Sequence, residues 1–155
     1  LTNNDVLFGG KLGLQYNLAS DHMVFTTFSR GFKAGGINNA SGLAENLRRF
    51  DSEYLWNLES GLKSSWLDDT LVTNLTAFYT LRKNAQLKNS LQVPKVPGPG
   101  TDFIEYLANA DKVTNIGIEA DLDWLINDKL RLLASVGLLD TDLHNYKKIY
   151  YYYYR

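Results

Sequence analysis

The sequence contains no cysteine, which excludes disulfides, thiolate metal sites and cysteine nucleophiles. The compartment stays open, because many bacterial envelope proteins also lack the residue. Also missing are an apolar run approaching the ~18 residues of a spanning helix and a basic-then-apolar start of the signal-peptide kind. Charge of one sign is absent too: 16 Lys+Arg stand against 17 Asp+Glu, a net charge of -1. That balance supplies no basic field for nucleic acid and no acidic tail. Proline is scarce, and Pro94, Pro97 and Pro99 all fall in one polar stretch. Helical periodicity is nowhere sustained.

Alternation of apolar and polar residues at period two takes its place, the signature of strands with two unlike faces. Leu12, Leu14, Tyr16 and Leu18 alternate with Lys11, Gly13, Gln15 and Asn17. A second segment, MVFTTFSRGF from Met23 to Phe32, has β-branched and aromatic residues on both faces, so its facing is left open. In the third, Tyr54, Trp56, Leu58, Leu62 and Trp66 oppose Glu53, Asn57, Glu59, Gly61 and Lys63. The fourth sets Leu71, Leu75, Ala77, Tyr79 and Leu81 against Asn74, Thr76, Phe78, Thr80 and Arg82. The fifth sets Ile116, Ile118, Ala120, Leu122 and Trp124 against Gly117, Glu119, Asp121 and Asp123. The sixth sets Leu130, Leu132, Ala134, Val136 and Leu138 against Arg131, Ser135 and Gly137.

Short turns at Ala19-Ser20-Asp21-His22, Leu67-Asp68-Asp69-Thr70 and Ile126-Asn127-Asp128-Lys129 close three hairpins at one end. At the other end KAGGINNASGLAENLRRFD and KNAQLKNSLQVPKVPGPGTD are expected to be polar loops of roughly 15 to 20 residues. Strands of soluble sheets average ~5 to 6 residues, whereas the third to fifth segments run for about 12 or more, the length a tilted strand needs to cross a bilayer. Sorting of short turns from long loops, and aromatics at both ends of one face, point the same way. Trp66 and Trp124 precede the turns, and Tyr54 and Trp56 lie at the opposite end. Slipping the fifth strand by one residue would face Glu119, Asp121 and Asp123 to lipid, at about 2 to 3 kcal/mol each. The expected facing is therefore isoleucines to lipid and carboxylates to a wet lumen. Six strands cannot close a bacterial barrel, which starts at ~8, so the chain is expected to be part of something larger.

Ser29 to Asn38, SRGFKAGGIN, resembles the Ser-Arg-Gly-Tyr/Phe-Lys-x-Gly-Gly-Phe-Asn segment of TonB-dependent outer-membrane receptors, with Ile37 where that family more often has an aromatic. The likeness continues in order through Phe50, Asp51, Ser52 and Glu53 with Asn57, Glu59, Gly61 and Lys63, then LVTNLTAFY from Leu71 to Tyr79, Gln86, and Asn109 to Asp121 with Gly117-Ile118-Glu119. It spans about residues 7 to 146. The resemblance implies an all-β, antiparallel up-and-down transmembrane β-barrel, of which this chain supplies about six of ~22 strands around a plugged lumen. It implies a bacterial outer-membrane location and energised import of a scarce ligand, typically a ferric siderophore, sometimes haem, cobalamin or a glycan. The implied partners are outer-membrane lipid, the remaining strands and plug domain, TonB acting through that plug, and a small-molecule ligand. No plug, TonB-contacting box or terminal aromatic is read in the sequence, so this segment by itself is not expected to transport. Residues 1–146 are expected to form the partial barrel, and 147–155, with five tyrosines from Tyr150 to Tyr154, are an atypical tail read as an artefact, with an aromatic ligand platform as the alternative.

No catalytic, cofactor-binding or metal-binding residue is assigned, and an enzyme is not expected. GFKAGG (Gly31 to Gly36) is followed by no helix and lacks phosphate-loop spacing. His144 with Asp140 and Asp142 provides too few donors, the other histidine being His22 in a turn. Glu53, Glu59, Glu119, Asp121 and Asp123, beside Lys63, Arg82 and Arg131, are expected to form a cross-strand charge network bracing the wall and touching the plug. Asn39-Ala40-Ser41 and Asn74-Leu75-Thr76 match the glycosylation tripeptide by chance, the second in mid-strand. Phe32, Lys33, Arg48, Arg49, Phe103 and Tyr106 lie where ligand capture belongs in such a receptor, with no choice among them. The competing expectation is a soluble or surface-displayed β-sheet binding module that packs its apolar face on a partner.

Overall fold

The computed structural model describes residues 6–144, so the Tyr-rich tail lies outside the described residues. Six strands form one antiparallel sheet: β1 (Gly10–Asn17), β2 (His22–Lys33), β5 (Glu53–Trp66), β6 (Leu71–Pro94), β7 (Thr101–Asn127) and β8 (Leu130–His144). They follow one another in chain order, so every connection is a hairpin, except that β3 (Gly36–Ile37) and β4 (Arg49–Phe50) pair separately between β2 and β5. No described helix is long and apolar enough to cross a membrane, which says nothing of crossing by strands.

The register explains why these residues chose these strands. Val24, Leu62, Leu75, Ala120 and Val136 stand in one row across five strands, and Phe28, Leu58, Tyr79 and Ile116 in another. Since same-face residues recur every second position, every apolar position of the alternating segments falls on one face. Glu59, Lys63, Glu119, Asp121 and Asp123 fall on the other. For the segment left open, the pairing places Val24, Phe28 and Phe32 on the apolar face and Phe25, Thr27 and Ser29 on the polar one.

On the apolar face the boundary drifts. Toward the loop end the first polar residue after the band is Lys83 on β6, Thr114 on β7 and Asp140 on β8, so the band stops at Leu81, Ile116 and Leu138. Yet Leu81 is opposite Thr114 and Ile116 is opposite Asp140. The edge of the band therefore retreats by one same-face position per strand. A flat apolar layer crossed by strands tilted at about 45° requires a shift of roughly one strand spacing, ~4.8 Å, per strand, close to the ~6.6 Å between same-face residues. At the turn end Trp66, Leu71, Trp124 and Leu132 share a row. The Trp66 indole N–H donates to Thr73 Oγ1 at 3.0 Å, and the ring centroid lies 4.5 Å from that of His22.

Among the described residues nothing covers this face. Leu14, Val136 and Leu138 are 73%, 63% and 70% exposed. A sheet needs a second layer, a closed barrel or an apolar medium against such a surface. The two sheet edges, β1 and β8, carry unpaired ladder groups that call for further strands.

On the polar face two aromatics lie on glycines directly across the ladder: Phe25 opposite Gly61 and Phe78 opposite Gly117. A Cβ at Gly117 would stand 2.4 Å from Phe78 Cζ and 2.7 Å from the Leu138 carbonyl oxygen. The missing side chains thus let bulky rings lie flat along a wet wall. Gly117→Val is expected to destabilise the sheet by about 1 to 3 kcal/mol through this overpacking. A lowered urea midpoint of the detergent-refolded full-length protein would register it, and an unchanged midpoint would count against the packing.

The expected loops differ most from the sequence-based expectation. KNAQLKNSLQVPKVPGPGTD is not a loop over most of its length: β6 continues to Pro94 and β7 starts at Thr101, pairing residue by residue from Ala85↔Ala110 to Pro94↔Thr101. The long polar segment after β2 likewise folds, through β3, a 3₁₀ turn at Glu45–Leu47 and β4. Polar strands escape a pattern search for two-faced apolar strands, because their ladder satisfies the backbone while both faces stay largely wet.

Candidate functional site

The loop end of the sheet is built by docking the segment 34–52 onto the protruding β6–β7 hairpin. The small core beneath it consists of Ala85, Ala110 and Val113, with Leu87 packed against them. That is little apolar area, so the docking relies on side-chain amides gripping strand backbone. Asn38 Nδ2 donates to the Leu107 carbonyl at 2.8 Å while its Oδ1 accepts from the Leu107 N–H at 2.8 Å. The same Nδ2 also reaches the Leu47 carbonyl at 3.0 Å.

Asn109 does the reverse from β7. Its Oδ1 accepts from the Asp51 N–H at 2.7 Å, and its Nδ2 donates to the carbonyls of Asp51 and Asn84 at 3.0 and 2.7 Å. Gln86 Nε2 donates to the Ala34 and Asp51 carbonyls at 2.8 and 3.1 Å. Each amide substitutes for a missing ladder partner, and each such bond contributes about 1 kcal/mol net. Gly35 and Gly36 make the approach possible, since a Cβ would stand 2.7 Å from the Phe50 carbonyl oxygen or 2.7 Å from Phe50 Cζ respectively.

Glu53 is the hub of this joint. It opens β5 beyond the apolar band and is 2% exposed. Arg82 donates to it twice, Nε to Oε1 at 2.7 Å and Nη2 to Oε2 at 3.0 Å. The Gln86 backbone N–H donates to Oε2 at 2.7 Å, and Lys33 Nζ stands 3.8 Å from that oxygen. Burial works against the charge, but the hydrogen bonds from Arg82 and Gln86, with the charges of Arg82 and Lys33, outweigh it and hold the carboxyl below its ordinary range.

Of the residues placed in the capture region, Phe103 is exposed and Arg49 presents itself from β4. Lys33 is turned to Glu53, and Arg48 Nε donates to the Leu43 carbonyl at 3.3 Å. Phe32 ends the apolar face of β2. Tyr106 is only 8% exposed, so it does not offer itself to a ligand as expected; it is packed in the joint because β7 extends through it.

The wall carboxylates do not make one network. Arg131 pairs with Asp123, Ser135 Oγ donates to Asp121 Oδ1 at 2.7 Å, and Asn57 Nδ2 donates to Glu59 Oε1 at 2.8 Å. Thr80 Oγ1 continues the last chain to Asn57 Oδ1 at 2.6 Å. Lys63 lies 5.7 Å from the Phe25 ring centroid and forms no ion pair among the described residues. These are local braces, within β5 for Asn57 and Glu59 and between neighbouring strands for the others, with Glu53 and Arg82 forming a separate unit at the rim. His144 Nε2 meets Asp142 Oδ2 at 2.9 Å, and the described residues include no group of three or more metal-ligating side chains.

From the sequence, Asn38, Gln86 and Asn109 enter only as parts of a resemblance, and Glu53 both so and as one of the wall carboxylates beside Arg82. Their common task, amide or carboxylate to backbone across as many as 69 residues of chain, is visible only once the strands are paired.

Comparison with known proteins agrees with this architecture. Residues 2–152 match the family model described as TonB dependent receptor-like, beta-barrel. The pesticin receptors of Yersinia enterocolitica and Yersinia pestis are each 29% identical over 122 residues, covering 79% of this chain and 16% of theirs. Among solved structures the alcaligin outer membrane receptor FauA from Bordetella pertussis superposes with a TM-score of 0.59 at 20% identity, covering 89% of this chain and 23% of that one. The chain therefore spans less than a quarter of the proteins it resembles.

Proposed function

Since this chain belongs to the TonB-dependent receptor-like β-barrel family, we propose that it is a six-stranded sector of an outer-membrane receptor that imports a small iron chelate of the siderophore type. One observation carries the membrane placement most directly: a single register gives an uncovered apolar face whose boundary drifts from β6 to β8 as tilted membrane strands require. On this reading the apolar face meets lipid, and the polar face lines the lumen and meets the plug. The β6–β7 hairpin with its docked segment stands outside the cell, and the short turns lie in the periplasm.

The ligand class follows from the family, whose receptors chiefly import ferric siderophores, and from the exposed polar and aromatic surface at the loop end. Coupling to TonB belongs to the plug, and this sector supplies wall and capture surface. Deleting the full-length gene should abolish growth on one ferric siderophore as sole iron source, and restoring it should rescue growth only in a tonB-positive strain. Rescue without TonB would contradict energised uptake. Recovery of the native protein in a detergent-free soluble fraction would contradict the barrel itself.

A further inference from the structure

The drift of the apolar edge fixes which residues share a depth in the membrane. Moving one strand on and one same-face position toward the turns leads from Lys83 on β6 to Thr114 on β7 and Asp140 on β8, so these stand side by side at the outer border of the band. The same step leads from Ala77 to Ala120 and on to Ala134. The two levels differ by about 14 Å for strands tilted at ~45°, which sets the alanines near the middle of a hydrocarbon core ~30 Å thick.

At the border a cation and a carboxylate thus flank β7. Lys83 and Asp140 are both exposed, and neither makes an ion pair among the described residues. Their α-carbons are roughly 15 Å apart by strand geometry, farther than the two side chains reach. A two-fold axis along the membrane normal and over β7 brings them together between copies. Such an axis sets β6 of one copy against β8 of the other, so Lys83 meets the partner's Asp140, and Asp140 the partner's Lys83, at one depth. Ala77 then faces the partner's Ala134, and Ala120 meets its own counterpart on the axis, where small side chains let two walls approach closely. Leu58, Ala77, Tyr79, Ile116, Ile118 and Leu138 border a hollow of about 600 Å³ that can receive side chains of the partner's β8. The face is complementary to itself in charge and in shape. Lys112 comes near its counterpart one position further out, beyond the band, where water screens the repulsion and Asp142 stands on the next strand at the same level.

We infer that this face of β6, β7 and β8 is a homodimer interface, its occupant a second copy of the receptor. The inference rests on the membrane placement proposed above. In lipid the apolar contacts supply little net drive, because acyl chains solvate the same side chains. Close packing over the alanines and the two symmetric ion pairs therefore decide between copy and lipid. The dimer obeys mass action: it forms where receptors are crowded and gives way to lipid contact on dilution.

The test uses the full-length receptor, any cysteine elsewhere replaced by serine, with Thr114→Cys on the axis at the border of the band. It is reconstituted at high and low receptor-to-lipid ratios and treated with a short bismaleimide. A cross-linked dimer at the high ratio that declines on dilution is the expected result. Ala120→Leu, an apolar change that lipid tolerates, should lower the dimer about tenfold by holding the walls apart. Lys83→Asp or Asp140→Lys alone should lower it about fivefold, and the two together should restore it, since reversing both charges regenerates the pairs. Heat-modifiable mobility shows that each barrel has assembled, and Ala120→Leu keeps the test decisive where a reversed charge blocks assembly. Absence of the dimer at the high ratio overturns the interface, as does an undiminished dimer in the assembled single variants or no recovery in the assembled double variant. In native outer membranes, a cross-link to a different protein in place of a second copy overturns it too. A full-length protein that stays in solution without detergent overturns the membrane placement instead, so the two failures are distinguishable.

Discussion

Ile118→Arg in the full-length gene is expected to remove the receptor from the outer membrane, whereas Asp121→Leu, three residues away, leaves assembled protein near wild-type level. Ile118 lies on the apolar face midway along its strand, in the row of Ala77 and Leu138. An arginine on the lipid side near the bilayer midplane costs about 2 to 4 kcal/mol. Asp121 lies on the opposite face and loses only its bond from Ser135 at 2.7 Å, about 1 kcal/mol. The asymmetry is the point: by hydropathy alone the second change should help membrane insertion and by burial neither should matter. Heat-modifiable mobility of the outer-membrane fraction reads the difference, and equal recovery of the two variants would contradict the facing.

Glu53→Leu is expected to leave the barrel assembled and to undo the joint at its loop end. The substitution strips two hydrogen bonds from Arg82 and one from the Gln86 backbone while adding nothing that binds them. Removing one partner of a buried ion pair costs about 3 to 5 kcal/mol, and the value here lies at the low end because the Arg82 side chain keeps 22% of its exposure. The loss is local, since the apolar rows and their ladders remain. Segment 34–52, held otherwise by Asn38, Gln86 and Asn109, should become a protease target in intact cells, and uptake should fall by about tenfold or more. Unchanged protease resistance with normal uptake would show that the amide contacts suffice without the carboxylate.

This joint also explains the resemblance in physical terms. Gly35 and Gly36 admit close backbone approach, Asn38 and Asn109 each stand in for a strand, Glu53 organises Arg82 and Gln86, and Gly61 and Gly117 make room for Phe25 and Phe78. The residues that carry the family likeness are therefore chiefly those that assemble the wall and its rim. That is why the motif identified a family without identifying a ligand.

The sheet was legible because Ile116 to Trp124, and its counterparts in the other strands, must put every apolar side chain on one face. The facing of β2 was not, because Phe25 and Phe28 are both aromatic and only pairing with Gly61 and Leu58 separates them. Nor was the outer half of the β6–β7 hairpin. There Leu87, Leu91 and Val93 alternate with Lys88, Ser90 and Gln92, but Asn89 breaks the row and Pro94, Pro97 and Pro99 close the stretch. It therefore reads as a polar loop, although ladder bonds and docked amides order it. Tyr106 shows the consequence at the site: with β7 read as a loop it looked free to bind, and with β7 extended it is packed away.

This stretch of the receptor contributes no cysteine of its own, so once any cysteine elsewhere in the full-length receptor is replaced by serine, a cysteine scan gives the most direct test of the central claim. Single cysteines placed in turn at positions 115 to 124 of the full-length receptor, spin-labelled in reconstituted bilayers, report whether each side chain meets lipid or water. Ile116, Ile118, Ala120, Leu122 and Trp124 positions should be accessible to oxygen dissolved in the bilayer, and Asn115, Gly117, Glu119, Asp121 and Asp123 positions to a water-soluble nickel complex. A strict period of two in that phase is the predicted result. The opposite phase, or labels equally reached by the nickel complex throughout, would contradict a lipid-facing wall.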